Sequence, residues 1–236
     1  MSGQVARPEL KLDWCSYAAA KYAVMHWHYS RRMPMPPLVR LGVWEDGAFV
    51  GAVIFSRGAN LNLGTAYGLG IMEVCELTRV ALKEHVNQTS RIVAISIRLL
   101  RQVAPNLRLV VSYADPERGH HGGVYQAGNW VHDGASARST LAWRDGRWMH
   151  QRVTATSFSS TGKPGTGADP IYADLPKRVA CPKYRYLYPL DATMRAQIIE
   201  LAREYPKRPP GRGAEAPTSE RQGRTDPDAP SNGDEH

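Results

Sequence analysis

The chain is poor in cysteine and has no long hydrophobic run. Its 236 residues include only Cys15, Cys75 and Cys181, an odd number without Cys-x-x-Cys spacing. This argues against a disulfide framework and a structural zinc site, and it is typical of a reducing cytoplasm. No stretch approaches the roughly 18 uncharged apolar residues of a membrane helix, and the first residues lack the apolar core of a signal peptide. We therefore expect a cytoplasmic protein without a membrane partner.

Acidic residues are scarce everywhere except near the end of the chain. The whole sequence has 30 Lys and Arg against 22 Asp and Glu. Residues 207–236 hold five of the basic and six of the acidic residues, so residues 1–206 carry a surplus of nine positive charges. Such a surplus favours a polyanionic partner, since basic side chains contact phosphates and release counterions.

Composition also divides the chain into a folded part and a tail. Residues 207–236 are rich in proline, glycine, serine and charge, with almost nothing to bury, and they predict a disordered tail. Residues 154–170 have the same character and predict a flexible loop. We expect residues 1–206 to form one folded domain.

Hydrophobic periodicity predicts an α/β order of elements. Residues 38–58 contain two apolar runs joined by Glu-Asp-Gly, which is typical of a hairpin. Residues 72–82 alternate like a strand, residues 89–104 have helical spacing, and residues 107–115 form an apolar run typical of a buried central strand. A short helix and another strand follow, and residues 13–30 predict an early helix.

The helical segment 89–104 has two distinct faces. One stripe is apolar and should be buried: Ile92, Ile95, Leu99 and Val103. The opposite, more exposed face carries three arginines: Arg91, Arg98 and Arg101. Thr89 or Ser90 is placed to cap the start of this helix.

The order strand, helix, strand resembles the GNAT acyltransferases. In those enzymes the diphosphate of an acyl-CoA binds backbone N–H groups at the start of the helix, where the helix dipole helps. The resemblance implies a mixed, mostly antiparallel central sheet flanked by helices, and acetyl-CoA or a related acyl-CoA as cofactor. The usual Arg/Gln-x-x-Gly-x-Gly/Ala signature is absent, and residues 85–94, "HVNQTSRIVA", take its place. Four residues are predicted cofactor contacts, although Ser90 is equally explained as a plain cap: Arg79, Asn87, Ser90 and Arg91.

Four motifs resemble the phage Mom family in the same order. They are "HWHYSRRMP" (26–34), "VCELTRVAL" (74–82), "VVSYADPERGHHGGVYQAGNW" (110–130) and "PKYRYLYPLD" (182–191). The resemblance runs from about Tyr22 to Lys207. It implies a transferase that converts adenine in double-stranded DNA to its N6-carbamoylmethyl derivative and protects phage DNA from restriction in the host cytoplasm. It further implies that residues 1–206 are a GNAT-like catalytic domain with double-stranded DNA as partner.

Arg79 and Asp115 are predicted catalytic residues. The fixed fork of Arg79 suits a phosphate, an amide or an acyl oxygen, and the resemblance implies that this position is functionally required. A salt bridge to Glu76 or Glu84 is the structural alternative. Asp115 ends the apolar strand, where α/β sheets place their sites, and it can orient or deprotonate the attacking amine. The alternative is that Asp115 caps the turn that follows.

The stretch 119–130, "GHHGGVYQAGNW", is interpreted as a loop and a short helix after the central strand. Tyr125 stands where many GNAT enzymes use a tyrosine as general acid toward the departing thiolate. Its alternative role is to pack its ring beneath the sheet. The adjacent His120 and His121 point apart in regular structure, so they are predicted substrate neighbours rather than metal ligands.

The stretch "MHWHYS" (25–30) combines histidines with aromatic residues. His26 and His28 are candidate bases, and an association of the family with iron makes either a candidate iron ligand. Trp27 and Tyr29 are candidate stacking platforms for an extruded adenine, because chemistry on a base requires removing it from the stack. The alternative is an amphipathic helix end with incidental histidines.

Further DNA contacts are predicted from basic residues: Arg31, Arg32, Lys183 and Arg185. On a strand, residues 183–189 would place Lys183, Arg185 and Leu187 on one face and three tyrosines on the other. An edge strand that packs these tyrosines inward is the alternative. For the whole chain, two other functions stay open, an ordinary N-acetyltransferase for a small-molecule or protein amine and a non-catalytic DNA-binding protein.

Overall fold

The computed structural model describes residues 7–58, 60–144, 146–150 and 175–208. The predicted loop at 154–170 and the predicted tail beyond residue 208 lie outside these residues. The described chain divides into two compact units, one of residues 7–135 and 184–208 and the other of residues 136–183 with their gaps. The single domain predicted over residues 1–206 includes both units.

The first unit is built on a seven-stranded sheet with the strand order β1-β2-β3-β4-β5-β10-β6. Among the described strands of this sheet, β4 and β5 are the one parallel pair, and all other neighbours are antiparallel. The predicted mixed, mostly antiparallel sheet is therefore confirmed. The strands are β1 (Leu10–Trp14), β2 (Leu38–Glu45), β3 (Ala48–Ser56), β4 (Val74–Leu82), β5 (Leu109–Ala114), β6 (Val131–Ala135) and β10 (Tyr184–Pro189).

Helices cover both faces of this sheet. They are α1 (Tyr17–Trp27), α2 (Thr89–Val103), α3 (Gly123–Ala127) and α4 (Ala192–Ile199). Small residues of α1 pack against Ala52, Ile54 and Ala81, and α4 packs on the same side of the sheet. The opposite side holds the largest core cluster, to which α2 and α3 contribute. None of these described helices is long and apolar enough to cross a membrane.

The buried face of α2 differs from the predicted stripe. Its buried residues are Ile92, Val93, Ser96, Ile97 and Leu100, whereas Ile95 and Leu99 are half-buried and Val103 is 52% exposed. The predicted stripe did not include Ser96, because a serine is polar. Its hydroxyl donates to the Ile92 carbonyl at 2.9 Å, so its burial costs little free energy. The predicted exposure of the three arginines is confirmed.

The predicted cap of α2 is also wrong. The helix begins after Gln88, whose side chain makes no capping hydrogen bond within the described residues. The Thr89 hydroxyl instead lies 3.0 Å from His85 Nε2. Because His85 Nδ1 lies 2.8 Å from the Lys83 carbonyl and must donate to it, Nε2 accepts from Thr89. The hydroxyl predicted to cap the helix therefore fixes the preceding turn.

Strand β10 lies inside the sheet, between β5 and β6. Its faces alternate as predicted, with Tyr184, Tyr186 and Tyr188 toward the large core cluster. The edge-strand alternative correctly placed the tyrosines inward but was wrong about the edge, because β10 pairs on both sides.

The second unit contains a three-stranded antiparallel sheet with the order β8-β7-β9. Its strands are β7 (Ser139–Arg144), β8 (Arg147–His150) and β9 (Lys177–Ala180). The rings of Trp143 and Trp148, which are cross-strand partners, meet edge to face at 5.2 Å between centroids. Such pairs are the unit of stabilisation in a small sheet.

Gly122 sets the start of α3 against the core. Its φ is +87°, a conformation that L side chains rarely adopt, and an added Cβ would overlap ring atoms of Tyr186. The Tyr186 ring is fully buried, and its hydroxyl donates to the His121 carbonyl at 2.7 Å. Only glycine allows the turn to approach this ring.

We expect Gly122→Ala to lower the free energy of unfolding by about 3 kcal/mol, because backbone strain adds to displacement of a buried ring. The matched control is Gly47→Ala, where φ is +80° but nothing lies within 4 Å of the added Cβ. This control should lower the free energy of unfolding by about 1 kcal/mol. Chemical denaturation of both variants measures the difference, and equal losses would contradict the close packing of Gly122 against Tyr186.

Candidate active site

The candidate site lies where β4 and β5 separate. Within residues 60–144, three residue pairs join the two strands: Val74 with Leu109, Cys75 with Val110 and Glu76 with Val111. Beyond them, β4 continues to Leu82 alongside β3, and β5 continues to Ala114 alongside β10. The two parallel strands therefore leave a gap between their carboxyl ends, the edge at which sheets of this kind place ligands.

Strand β4 bulges at the same point. Phe55 of β3 pairs with Leu77 and the adjacent Ile54 pairs with Arg79, so Thr78 is an extra residue. The Thr78 hydroxyl donates to the Ile54 carbonyl at 3.0 Å and fixes the bulge. A bulge bends its strand and redirects the side chain that follows, and that side chain is Arg79.

Arg79 is half-buried and held by backbone carbonyls. Its Nε donates to the Arg32 carbonyl at 3.0 Å, and one terminal nitrogen donates to the Thr78 carbonyl at 2.6 Å. Burial lowers the pKa of this guanidinium, while Tyr29 and Glu76 oppose that shift. An arginine remains charged under such a shift, so a positive, oriented fork lies at the gap, with more N–H groups than these two bonds use.

Tyr125 reaches the gap from α3, on the other side of the sheet. Its hydroxyl lies 2.8 Å from Ser112 Oγ, and Ser112 donates to the Leu77 carbonyl at 2.9 Å. Because the serine has a single proton, the Tyr125 hydroxyl is the donor to Ser112. Burial raises the pKa of Tyr125 to about 12, so the phenol keeps its proton at neutral pH. Its ring packs against Trp130 and Tyr186, each at 5.0 Å between centroids, as the structural alternative predicted.

Asp115 follows directly on β5. Its carboxylate accepts the Glu117 N–H at 3.1 Å and caps a 3₁₀ turn over Pro116–Arg118, which is the predicted structural alternative. Burial lowers the pKa of His120, and Asp115 opposes that shift. A neutral His120 therefore lies beside an acidic group at the end of the strand.

Tyr29 joins these residues from the segment after α1. Tyr29 is 50% exposed, and its ring lies 5.6 Å from the His120 ring and 5.9 Å from the Arg118 guanidinium carbon. It is close enough to Arg79 and Tyr125 to affect the pKa of both. The structure thus brings together five of the predicted residues: Tyr29, Arg79, Asp115, His120 and Tyr125.

The two predicted histidines, His26 in the last turn of α1 and His28 directly after it, contact residues close to them in the sequence. His26 Nδ1 lies 2.8 Å from the Tyr22 carbonyl, and the two rings stack at 4.1 Å between centroids. His28 Nδ1 lies 2.8 Å from the Ser30 hydroxyl. In the part of the chain that the structure describes, no group of three or more His, Cys, Asp or Glu is arranged to hold a metal ion, so the structure does not support iron at either histidine.

Trp27, the second predicted platform, lies against the sheet instead of at the gap. Its ring packs on Phe49 at 5.9 Å between centroids, and the Lys83 ammonium lies 5.7 Å above it. Of the two aromatic residues proposed for stacking, Tyr29 is therefore the one at the site.

The predicted DNA contacts are dispersed. Arg31 and Arg32 are exposed after α1. Arg185 donates through Nε and a terminal nitrogen to the buried Asp133 carboxylate at 2.9 and 2.7 Å, and Tyr67 donates to the same oxygen at 2.7 Å. That guanidinium is thus committed to an internal ion pair on the face opposite Tyr125.

Lys183 and His121, two other predicted contacts, form hydrogen bonds through their backbones. The Lys183 N–H donates to Ser136 Oγ within the second unit, and the His121 carbonyl accepts from the Tyr186 hydroxyl.

The predicted cofactor contacts Asn87 and Arg91 surround a buried carboxylate at the turn before α2. Glu45 accepts the Val86 N–H at 2.9 Å, the Asn87 N–H at 2.6 Å and the Asn87 side-chain amide at 2.9 Å. Burial would raise the pKa of Glu45, but these hydrogen bonds outweigh it and hold the pKa below its usual value. Arg91 in turn donates to the Asn87 side-chain oxygen at 3.0 Å. Ser90 is half-buried in the first turn of α2.

The N–H groups of Val86 and Asn87 are not open to a diphosphate, because the Glu45 carboxylate accepts both. The N–H groups of Thr89 and Ser90, in the first turn of α2, have no partner within the helix. They fit an anion bound at the start of this helix.

Three contributors were missed by the sequence interpretation: Glu45, Ser112 and Arg118. Ser112 was detectable, since it is a hydroxyl in an otherwise apolar run, "LVVSYA", and a buried hydroxyl needs a partner. The sequence predicted Glu45 only as part of the hairpin turn. Its hydrogen-bond partners could not be predicted, because they lie 41 and 42 residues further along the chain.

Residues 9–207 match the profile of the Mom protein family. The chain is 29% identical over 213 residues to the protein named methylcarbamoylase mom of Escherichia phage Mu, covering 84% of each chain. Among solved structures, it is 11% identical to an N-acyl amino acid synthase from uncultured soil microbes, covering 82% of this chain and 97% of that chain with a TM-score of 0.42. A putative acetyltransferase from Acinetobacter baylyi is also 11% identical, with coverage of 80% and 96% and a TM-score of 0.43.

The buried Glu45 predicts a pH-dependent stability. Glu45→Gln should lower the free energy of unfolding by about 1.5–3 kcal/mol at neutral pH, the range for hydrogen bonds to a charged group. Because the pKa of Glu45 is lowered in the folded state, this contribution is complete above about pH 4.3, the ordinary value, and is lost as the pH falls through the folded pKa. Denaturation of both proteins between pH 7 and pH 3 measures it.

The matched control is Glu84→Gln, which removes the same charge from the same turn at an exposed position. It should change stability by no more than about 0.5 kcal/mol. A difference between wild type and Glu45→Gln that stayed constant with pH would contradict the role given to the charge.

Proposed function

The chain belongs to the Mom protein family, and we propose that it is a phage-type enzyme that converts adenine in double-stranded DNA to its N6-carbamoylmethyl derivative and so protects the DNA from host restriction. The observation that carries the proposal is that the family match spans residues 9–207, which include every residue gathered at the gap between β4 and β5. The relative from phage Mu is named a methylcarbamoylase, which indicates the group transferred. Such a protein is a transferase.

The adenine is proposed to reach the gap by leaving the DNA stack. A duplex hides the exocyclic amine, and an enzyme that acts on it must extrude the base. The ring of the half-exposed Tyr29, next to His120 and Arg118, offers a stacking surface at the mouth of the gap. The exposed Arg31 and Arg32 lie nearby in sequence and suit the phosphate backbone.

Three side chains supply the proposed chemistry. Asp115 orients the adenine amine and accepts the proton that it releases when its nitrogen bonds to the incoming carbon. Arg79, held by two carbonyls, binds the carbonyl oxygen of the transferred group and stabilises charge that develops there. Tyr125 retains its proton at neutral pH and donates it to the group that leaves the donor.

Ser112 is proposed to position Tyr125. Its hydroxyl links the phenol to the Leu77 carbonyl, so the acid is fixed to both strands that border the gap. The donor implied by the family resemblance is an acyl-CoA. The N–H groups of Thr89 and Ser90, in the first turn of α2, would hold its diphosphate, and each step above is assigned to the side chains of this chain alone.

The decisive experiment is expression of the protein in a bacterial cell, followed by digestion of the DNA to nucleosides and mass spectrometry. We expect a deoxyadenosine species heavier by one carbamoylmethyl group, and Tyr125→Phe should reduce its amount by about 10²-fold or more, the usual contribution of a general acid. Tyr188→Phe is the matched control, because it removes one hydroxyl from the same aromatic cluster. Unmodified deoxyadenosine in cells that contain folded protein would refute the proposed function.

The stacking role of Tyr29 predicts a contrast between two variants. Tyr29→Ala should reduce modification strongly, because base–aromatic stacking contributes about 1–3 kcal/mol per base, whereas Tyr29→Phe keeps the ring and should retain most activity. Modification of a short duplex measured against DNA concentration separates the two effects, and the loss in Tyr29→Ala should appear mainly as a raised KM. Equal activity of Tyr29→Ala and wild type would exclude the platform.

A further inference from the structure

The second unit carries a disproportionate share of the positive charge. Residues 136–183 contain eight Lys and Arg against three Asp and Glu, a surplus of five positive charges. Residues 1–206 as a whole have a surplus of nine. More than half of the excess charge therefore lies in fewer than a quarter of these residues. A local concentration of this kind is typical of a surface that binds a polyanion.

The three-stranded sheet of this unit has one face on which aromatic rings pack. Because side chains alternate along a strand, the register places Trp143, Trp148 and Arg178 on the same face. The Arg178 guanidinium carbon lies 5.1 Å from the centroid of the Trp148 ring, and all three residues are half-buried. The charge of Arg178 is thus directed at an aromatic ring.

The other face carries three basic positions. Arg144 pairs with Arg147 across the hairpin of β7 and β8. Lys177 of β9 pairs with Ala142, which lies two residues before Arg144 and therefore on the same face. Lys177 is exposed, and Val179, which shares its face of β9, is 60% exposed. The positions Arg144, Arg147 and Lys177 form what we call the basic face.

The register of the hairpin brings two like charges to directly opposite positions. Arg144 and Arg147 are the last pair of β7 and β8 before the turn. Like charges directly opposite one another destabilise a strand pair. Asp145, the acidic residue between them in the sequence, balances one of the two charges at most. An anion bound at this end of the sheet offsets the remaining repulsion.

Duplex DNA matches the spacing of the basic face. Opposite positions of an antiparallel pair lie about 4.5–5.5 Å apart, and residues two apart on a strand lie about 7 Å apart. Duplex DNA carries one phosphate for about every 1.7 Å of its axis, so several phosphates come within reach of the three positions together. A strand hairpin also fits the major groove of B-form DNA. A small anion would offer its charge to one of these positions only.

We propose that the basic face of the second unit binds the phosphate backbone of duplex DNA and holds the protein on its substrate. Arg144, Arg147 and Lys177 contact phosphates, and the extruded base is bound by the residues at the gap between β4 and β5. Phosphates carry no sequence information, so this contact is the same for any duplex. The identification of DNA as the substrate rests on the proposed function, whereas the basic face itself rests on charge and register.

The test is the salt dependence of duplex binding, measured by fluorescence anisotropy with the full chain and an unmodified duplex. The triple variant Arg144→Gln, Arg147→Gln, Lys177→Gln removes three phosphate contacts. Each contact contributes about 0.9 to the slope of the logarithm of the binding constant against the logarithm of the salt concentration, so the slope should decrease in magnitude by about 2–3. The affinity at about 0.15 M salt should fall at least about tenfold. An unchanged slope would overturn the proposal.

Two further variants guard against effects on folding, which circular dichroism checks in each case. Lys177→Gln changes one exposed position and leaves the hairpin as it is. It should decrease the magnitude of the slope by about 0.9. Arg144→Lys with Arg147→Lys keeps both charges, so its slope should stay within about 0.5 of the wild-type value, since lysine also binds phosphate. A wild-type slope in Lys177→Gln would contradict the proposal.

The matched control removes three exposed arginines from the first unit. They are Arg98, Arg101 and Arg195, each changed to glutamine. This variant loses the same net charge, and its slope should change by less than about 1. Equal decreases in the two triple variants would overturn the proposal, because net charge alone would then explain the binding. Loss of binding to phosphatidylserine vesicles in the first triple variant, with unchanged duplex binding, would also overturn it by assigning the basic face to a membrane surface.

The binding assay is independent of the nucleoside assay. Duplex binding that depends on the basic face, combined with unmodified deoxyadenosine, would refute the proposed enzymatic function and leave the basic face intact. Modified deoxyadenosine, combined with duplex binding that the triple variant does not change, would do the reverse.

Discussion

The site depends on the early end of the hydrogen-bonded ladder between β4 and β5. After three residue pairs the two strands follow different neighbours, and the backbone groups that face the gap need other partners. The Ser112 hydroxyl satisfies one of them, the Leu77 carbonyl, at the point of separation. The gap is thus stabilised by a side chain that also contacts Tyr125.

The same separation lets the two faces of the sheet contribute to one site. Arg79 pairs with Ile54, whose side chain packs against α1, and it binds the carbonyl of Arg32 in the segment after that helix. Tyr125 belongs to α3 and packs in the cluster on the opposite face. In a continuous sheet the backbone would lie between these side chains. Here the bulge at Thr78 and the gap next to it bring the guanidinium and the phenol to a common opening.

Local patterns in the sequence predicted the elements but not the way they separate. The hairpin, β4, α2 and β5 follow from periodicity and turn residues, because each depends on neighbours a few positions away. The gap, the bulge and the carboxylate of Glu45 depend on pairing between distant segments, for which one sequence has no local signal. Five site residues came from the family motifs and lie together, yet Arg185 matched a motif equally well and serves an internal ion pair with Asp133. A motif therefore marks residues that a family retains and does not separate a chemical role from a structural one.

The position of β10 has a consequence for the architecture of the chain. Tyr184 of β10 pairs with Ala135 of β6, and the next residues inward, Ser136 and Lys183, remain joined by a hydrogen bond of 2.8 Å. Residues 136–183 therefore leave and re-enter the sheet at adjacent points, as an inserted module does. Because β6 and β10 pair with each other where the module begins and ends, the length and sequence of the module can change without shifting the register of the sheet that holds the gap. The chain thus combines a scaffold of fixed register with a segment that can vary independently of it.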